Sequence, residues 1–373
     1  MTSVPASHRT GSLPRALTAL PAWSLLLPVF GLGAWLLDLA TAGAMPAFVL
    51  APLLIGCVIA AVHHAEVVAQ RVGEPFGTLV LAVAVTVIEV SLIVSLMLSD
   101  AGDASTLARD TVVAAIMLIL TGMLGASFLI GGLRHREQRF SLPGVSAGLS
   151  TLAALAVLVL VLPNFTISEP GAFYSPPQLV FVALVSLILY VTYVLVQTVR
   201  HRHYFLPDEG DAQSDAPLPP PSGRLTLAAL VTLVLALAAV ILLAAAIAPT
   251  VERAVLDAGL PLATVAVVIA GTVLAPESLA AIRAARRNRL QTSINLAFGS
   301  ALATIGLTIP TVAVVSLLFG LPLALGVGAK TMTLLALALF VAAVGLASGR
   351  STVLQGMVHL VIFAVYLFTT IVP

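Results

Sequence analysis

Apolar residues along this chain fall into eleven long runs, broken by short stretches that hold most of the charges together with Pro and Gly. The runs cover 21–41, 46–63, 76–98, 111–133, 144–163, 178–199, 225–248, 261–282, 291–319, 321–347 and 352–372. A helix needs about 20 apolar residues to cross the hydrocarbon core of a bilayer. The pattern therefore predicts an all-α polytopic membrane protein of eleven transmembrane helices. The ninth and tenth runs are parted only by Gly320 and Pro322.

Composition sharpens this. Of the 373 residues, 60% are hydrophobic and 9% charged, against about 25% charged in ordinary soluble domains. Little chain is left for an extramembrane domain. The net charge is +1, and no cluster of bases interleaved with aromatics points to nucleic acid. Cys57 is the only cysteine, so an internal disulfide and a thiolate zinc site are both excluded. There is no phosphate-binding glycine loop, no nucleophile elbow and no paired-histidine zinc motif. An enzyme is not expected, and neither is a cofactor. Arg9 and Arg15 precede the first run, but that run is long for a signal peptide and no small-residue cleavage pattern follows it.

The placement of charge gives an orientation. Lys and Arg accumulate in cytoplasmic segments. With the N-terminus inside, the outer segments hold Arg109, Arg253 and Lys330, and the inner ones hold the other fourteen of seventeen (17 − 3). This predicts a multi-pass protein of the inner (plasma) membrane with a cytoplasmic N-terminus and an external C-terminus. The stretch PDEGDAQSDAPLPPPSG (207–223) has four acids, five prolines and nothing to bury, and reads as a flexible linker. It divides the chain into a cytoplasmic tail (1–20), a leading helix (21–41), five spans (46–200), a linker (201–224) and five more spans (225–373). Five is odd, so the second set enters the membrane from the opposite face. Inverted repeats of this kind mark transporters whose substrate site lies near the midplane.

Two acids sit deep in apolar runs. Glu89 lies in GEPFGTLVLAVAVTVIEVSLIVSLM (73–97) and Glu277 in GTVLAPESLAAI (271–282), each on the second span of its set of five. An acid at mid-membrane costs roughly 2.5 to 3.5 kcal/mol on insertion scales, and such residues usually face a protein or water-filled interior. Thr78, Ala82, Thr86, Glu89 and Ile93 recur at helical spacing, so Thr86 and Glu89 face the same interior. Pro276 precedes Glu277, and a proline within a helix frees a carbonyl one turn earlier, near Thr272 and Val273. Ser278 could extend that shell. The ninth span carries Ser293, Asn295, Gly299, Ser300, Thr304, Thr308 and Thr311, a polar or small face that suits either close helix packing or a hydrated path. Thr111, Thr121, Gly122 and Gly125 form a weaker counterpart on the fourth span. His359, the only histidine deep in a span, is either a packing residue or a proton relay. His63, His64, Glu66 and Glu74 read as a solvated loop or an entry vestibule.

The segments HAEVVAQRVGEPFGTLVLAVAVTVIEVSLIVSLM (64–97) and LAPESLAAIRAARRNRLQTSINLAFGSALATIGLTIP (274–310), with the acidic linker, resemble the bacterial ChaA-type calcium/proton antiporters. These belong to the cation/proton exchanger branch of the calcium/cation antiporter superfamily. The resemblance runs from about residue 46 and implies that Glu89 and Glu277 are the paired acids of the two repeats, with Gly299 and Ser300 as the Gly-Ser of the second. The wider branch has Gly-Asn shortly before each acid, where this chain has Val85, Thr86 and Val273, Leu274. The glutamine that follows the Gly-Ser is Ala303 here. The implied function is exchange of cytoplasmic calcium, the transported substrate, for protons at a shared two-carboxylate site. Sodium or potassium exchange for protons is the nearest alternative; an intramembrane protease and a cation channel are the rivals from other classes. The expected cation and proton ligands are Glu89 and Glu277, with a shell from Thr86, Thr272, Val273, Ser278 and Ser300 and a proton path through His359.

Overall fold

The computed structural model describes residues 20–73, 76–97, 104–206 and 220–372. Eleven helical segments account for nearly all of them: α1 Ala22–Ala40, α2 Ala47–Val72, α3 Phe76–Met97, α4 Leu107–His135, α5 Leu142–Phe165, α6 Pro176–Arg200, α7 Gly223–Asp257, α8 Ala263–Arg286, α9 Leu290–Phe319, α10 Ala329–Leu346 and α11 Val353–Ile371. Ten are long and apolar enough to cross a membrane, and α3 carries a shorter apolar stretch, Val80–Ser95. The tail, Glu74 and most of the acidic linker lie outside the described residues.

Contacts between helix ends show that the segments alternate in direction. At one face, the His64 ring near the end of α2 meets the Ser24 carbonyl at the start of α1 (3.0 Å), and the Arg71 guanidinium donates to the Pro221 carbonyl before α7. At the same face Gln138 donates to Ala285, Ser141 N–H to Gln291 Oε1, and Asn295 to the Phe205 carbonyl, while β1 (Gln138–Arg139) pairs with β2 (Arg350–Ser351). At the other face Arg109 donates to the Gly326 carbonyl, Asn164 to the Val327 carbonyl and Lys330 to the Thr369 carbonyl. Every described arginine except Arg109 and Arg253 belongs to the first set of ends. We refer to that end as the arginine-rich face.

Three boundaries depart from the hydropathy reading. Helix α2 continues to Val72, so His63, His64 and Glu66 are helical rather than loop residues. His64 is fully buried against α1, and Trp23 of α1 packs on His63. Helix α7 likewise runs past Ala248 to Asp257, with Pro249 inside it. The tenth helix begins at Ala329 instead of residue 321. Gly320 ends α9 in the left-handed conformation (φ 65°), which a glycine adopts without a Cβ clash. The backbone then runs non-helically, its N–H groups donating to the carbonyls of Ser105 (from Ala324), Ala172 (from Leu325 and Gly326) and Leu160 (from Val327). Those partners outweigh the helical pattern of the sequence because buried N–H groups must be satisfied.

The two sets of five spans mirror each other in their packing. The third span of each set, α4 and α9, contains a π-turn, Leu118–Met123 and Thr304–Thr308. Gly306 of the second π-turn packs on Tyr190 of α6, the fifth span of the other set; Gly122 of the first packs on Phe363 of α11, again the fifth span of the other set. Setting the ends of the two π-turns together places Met123 on Thr308, a shift of 185 residues (308 − 123). The acids themselves stand 188 apart (277 − 89).

Side-chain packing separates two bodies. One core joins α1, α2 and α7 to one side of α3 and α8, through Ala61, Ala239, Leu243, Ile88 and Ala266. The other joins α4, α5, α6, α9, α10 and α11 to their opposite side, through Leu120, Leu152, Phe298, Ile305 and Leu274. The helices that bear Glu89 and Glu277 form the seam.

Candidate cation site

Both acids lie on that seam and line one cavity of about 370 Å³. Glu89 is 4% and Glu277 8% exposed. Because α3 and α8 belong to oppositely directed sets of five, the two carboxylates approach the cavity from helices that run opposite ways. The cavity continues along α6 and α9, past Tyr190, Tyr193, Gln197, Gly299, Ser300 and Asn295, to Arg202, Phe205 and Leu206 at the arginine-rich face.

The two acids are held differently. Thr308 Oγ1 donates to Glu89 Oε2 at 2.9 Å and Thr304 Oγ1 to the same oxygen at 3.2 Å. These hydroxyls are one helical turn apart in the π-turn of α9, so they present themselves side by side to α3. On Glu277, Oε2 is buried and accepts no hydrogen bond from a described residue. Glu66 of α2 and Glu89 both lie near enough to act electrostatically on Glu277. A polar atom buried without a partner costs about 1 to 3 kcal/mol.

The structure gathers some of the residues singled out from sequence and leaves others aside. Ala82, Thr86, Glu89, Glu277 and Ser300 line the cavity. The Thr86 hydroxyl is spent on the Ala82 carbonyl of its own helix at 2.8 Å. Thr272 does not line the cavity and donates to the Val268 carbonyl within α8. Val273 is packed in the core with α2 and α7, and Ser278 has a buried hydroxyl that does not border the cavity. Helix α8 runs unbroken through Pro276. His359 also stands apart from the cavity: its Nδ1 meets the Leu120 carbonyl in the π-turn of α4 at 2.6 Å and its ring lies edge-on to Phe128. Its Nε2 is buried with no hydrogen-bond partner among the described residues. The side chain of Thr78 lies outside the described residues, and Ile93 is fully buried in the core.

Thr304 and Thr308 are the residues that the expected shell lacked. Their four-residue spacing on the polar face of α9 was the available signal, but it could not say which of five hydroxyl groups reaches an acid. Ser293 pairs with Ser127 instead, and Thr311 returns to its own helix at Leu307.

Comparison with known proteins follows the same division of the chain. The model of the sodium/calcium exchanger protein family matches twice, over residues 44–199 and 228–372, one match for each set of five spans. The chain is 49% identical over 357 residues to a putative ionic transporter, y4hA, of Sinorhizobium fredii, covering 95% of this chain and 97% of that one. It is 37% identical over 319 residues to the sodium-potassium/proton antiporter ChaA of Escherichia coli, covering 85% and 86%. A Ca(2+)/H(+) antiporter of Aphanothece halophytica is 25% identical over 285 residues, covering 71% and 75%. Among solved structures, the H+/Ca2+ exchanger CAX superposes with a TM-score of 0.71 at 18% identity over 92% of this chain and 87% of that one, which shows a shared fold. Two matched halves, two pseudo-equivalent acids and a shared architecture make this chain a multi-pass membrane transporter, not an enzyme, and a member of the sodium/calcium exchanger family of cation antiporters.

Proposed function

We propose that the protein exchanges cytoplasmic calcium for protons across the inner membrane, at one site formed by Glu89 and Glu277. The observation that supports this reading best is that two membrane-buried carboxylates, carried by oppositely directed helices, share a single cavity. An empty pocket with two negative charges in a low-dielectric interior is strongly disfavoured. Two protons or one divalent cation balance it, so the ligands compete and their movements are coupled. Calcium takes six to eight oxygens; two carboxylates supply at most four, and Ser300, Thr304, Thr308 and water complete the set. The arginine-rich face is cytoplasmic by the distribution of basic residues. Movement of the α1, α2 and α7 body against the other at the α3 and α8 seam would expose the acids alternately.

Exchange of sodium or potassium for protons is the second reading. It is favoured by the 37% identity to a sodium-potassium/proton antiporter. In that case one acid keeps a proton while the other binds the monovalent ion. Everted vesicles that report cation-driven proton movement decide between them with a panel of calcium, sodium and potassium at several pH values. Calcium-driven proton efflux that sodium and potassium do not reproduce supports the first reading, the reverse ranking supports the second, and no proton movement with any cation overturns both.

A further inference from the structure

Among the described residues the lining of the cavity leads from the acids to the arginine-rich face, yet an exchanger needs a path to the other. The internal symmetry says where that path runs. With the shift of 185 residues, the cavity-lining face of α9 (Asn295, Leu296, Gly299, Ser300) falls on Asp110, Thr111, Ala114 and Ala115 of α4 (for example 295 − 185 = 110). The α9 residues are partly exposed, whereas Thr111, Ala114 and Ala115 are buried. One half is open and its equivalent is packed shut.

The residues at the two mouths differ in charge. Asn295 donates to the Phe205 carbonyl at the arginine-rich end, a neutral contact. Asp110, at the opposite face, accepts from Arg109 Nε at 2.8 Å and from Thr106 Oγ1 at 3.3 Å. It also lies within electrostatic reach of Tyr366 on α11, the span equivalent to α6 that lines the open cavity. Arg109 in turn donates to the Gly326 carbonyl at 2.8 Å, in the non-helical segment between α9 and α10. The carboxylate is thus occupied by a cationic side chain in the closed state, and that side chain is fastened to the segment that covers this face.

Resting on the exchange reading above, we propose that Asp110 is the cation-capturing residue at the mouth of the second access path, which runs along α4 between α8 and α11. When this face opens, an incoming metal cation replaces Arg109 on the Asp110 carboxylate. A carboxylate at the mouth raises the local cation concentration; besides the two central acids the lining of the open cavity holds no carboxylate, and Glu66 of α2 stands outside that lining. The two faces therefore differ in apparent affinity for the cation.

Proteoliposomes or vesicles of both orientations test this, with calcium as the probe and sodium and potassium in parallel. Asp110→Asn is expected to raise the KM for cation presented at its own face by roughly tenfold relative to the KM at the arginine-rich face. Asp110→Glu restores the ratio, and Asn295→Asp lowers the KM at the arginine-rich face. In a Cys57→Ala background, Ala115→Cys is modified by a membrane-impermeant thiol reagent applied at the Asp110 face. Equal changes of KM at both faces, an unchanged ratio in Asp110→Asn and Asn295→Asp, or no modification of Ala115→Cys in a transporting protein would each overturn the assignment. Should exchange survive both Glu89→Gln and Glu277→Gln, the exchange reading itself fails. Should exchange require both acids while the KM ratio stays fixed, only the role of Asp110 is lost.

Discussion

The two halves of this molecule hold equivalent acids in unequal surroundings. Glu89 accepts two hydroxyl hydrogen bonds from the π-turn of α9, Thr304 and Thr308. The equivalent positions in the π-turn of α4, by the 185-residue shift, are Ile119 and Met123, both buried and apolar. Thr121, the one hydroxyl in that turn, donates to its own helix at Met117. Glu277 accordingly has a buried oxygen without a hydrogen-bond partner among the described residues. Repetition of the fold supplies two carboxylates, and divergence of a few side chains leaves one held by two hydroxyls and the other with an oxygen that no described residue contacts by a hydrogen bond. The same divergence leaves α9 facing a cavity and α4 packed against its neighbours.

The largest effect is expected at the acids. Either Glu89→Gln or Glu277→Gln removes one of the two carboxylates proposed to bind both cation and protons, and exchange measured in vesicles should be lost. Retained exchange in both variants would end the two-carboxylate account. Next come the hydroxyls. A hydrogen bond to a charged group is worth about 1.5 to 3 kcal/mol, so Thr308→Val should weaken apparent cation affinity by about tenfold or more, with Thr304→Val, whose contact is longer, below it. The comparison between halves is sharpened by Met123→Thr, which gives the π-turn of α4 the hydroxyl that Thr308 supplies in α9. If the asymmetry is what separates the acids, cation affinity changes in this variant, whereas Thr311→Val on the exposed side of α9 leaves it where it was. Gly306→Ala tests the scaffold. The added methyl collides with Tyr190, and overpacking of this kind costs about 1 to 3 kcal/mol, read as a lower melting temperature in detergent. Ser300→Ala is expected to have the smallest effect, because Ser300 borders the cavity without a hydrogen bond to either acid.

Much of this architecture could be read from the chain. The count of spans, the alternation of charge and the depth of Glu89 and Glu277 all follow from hydropathy, because the bilayer imposes one dominant rule on apolar runs. What could not be read depends on partners far away in sequence. His63, His64 and Glu66 look like loop residues until α1 supplies the Ser24 carbonyl and the Trp23 ring. Residues 321–328 carry a helix-like apolar pattern, yet their N–H groups are claimed by carbonyls of Ser105, Leu160 and Ala172. At the site, Thr86 and Thr272 share a helix with an acid, yet both bond to their own backbone, as Thr within a helix often does. The hydroxyls that reach Glu89 come from a different span, and only the crossing of α3 with α9 brings them together.

Proton release on cation binding to the purified protein tests the central claim most directly. If Glu89 and Glu277 form one pocket in which a cation displaces protons, adding the transported cation in weak buffer releases protons from the unaltered protein and none from either Glu89→Gln or Glu277→Gln. Undiminished proton release from either variant would contradict a shared site.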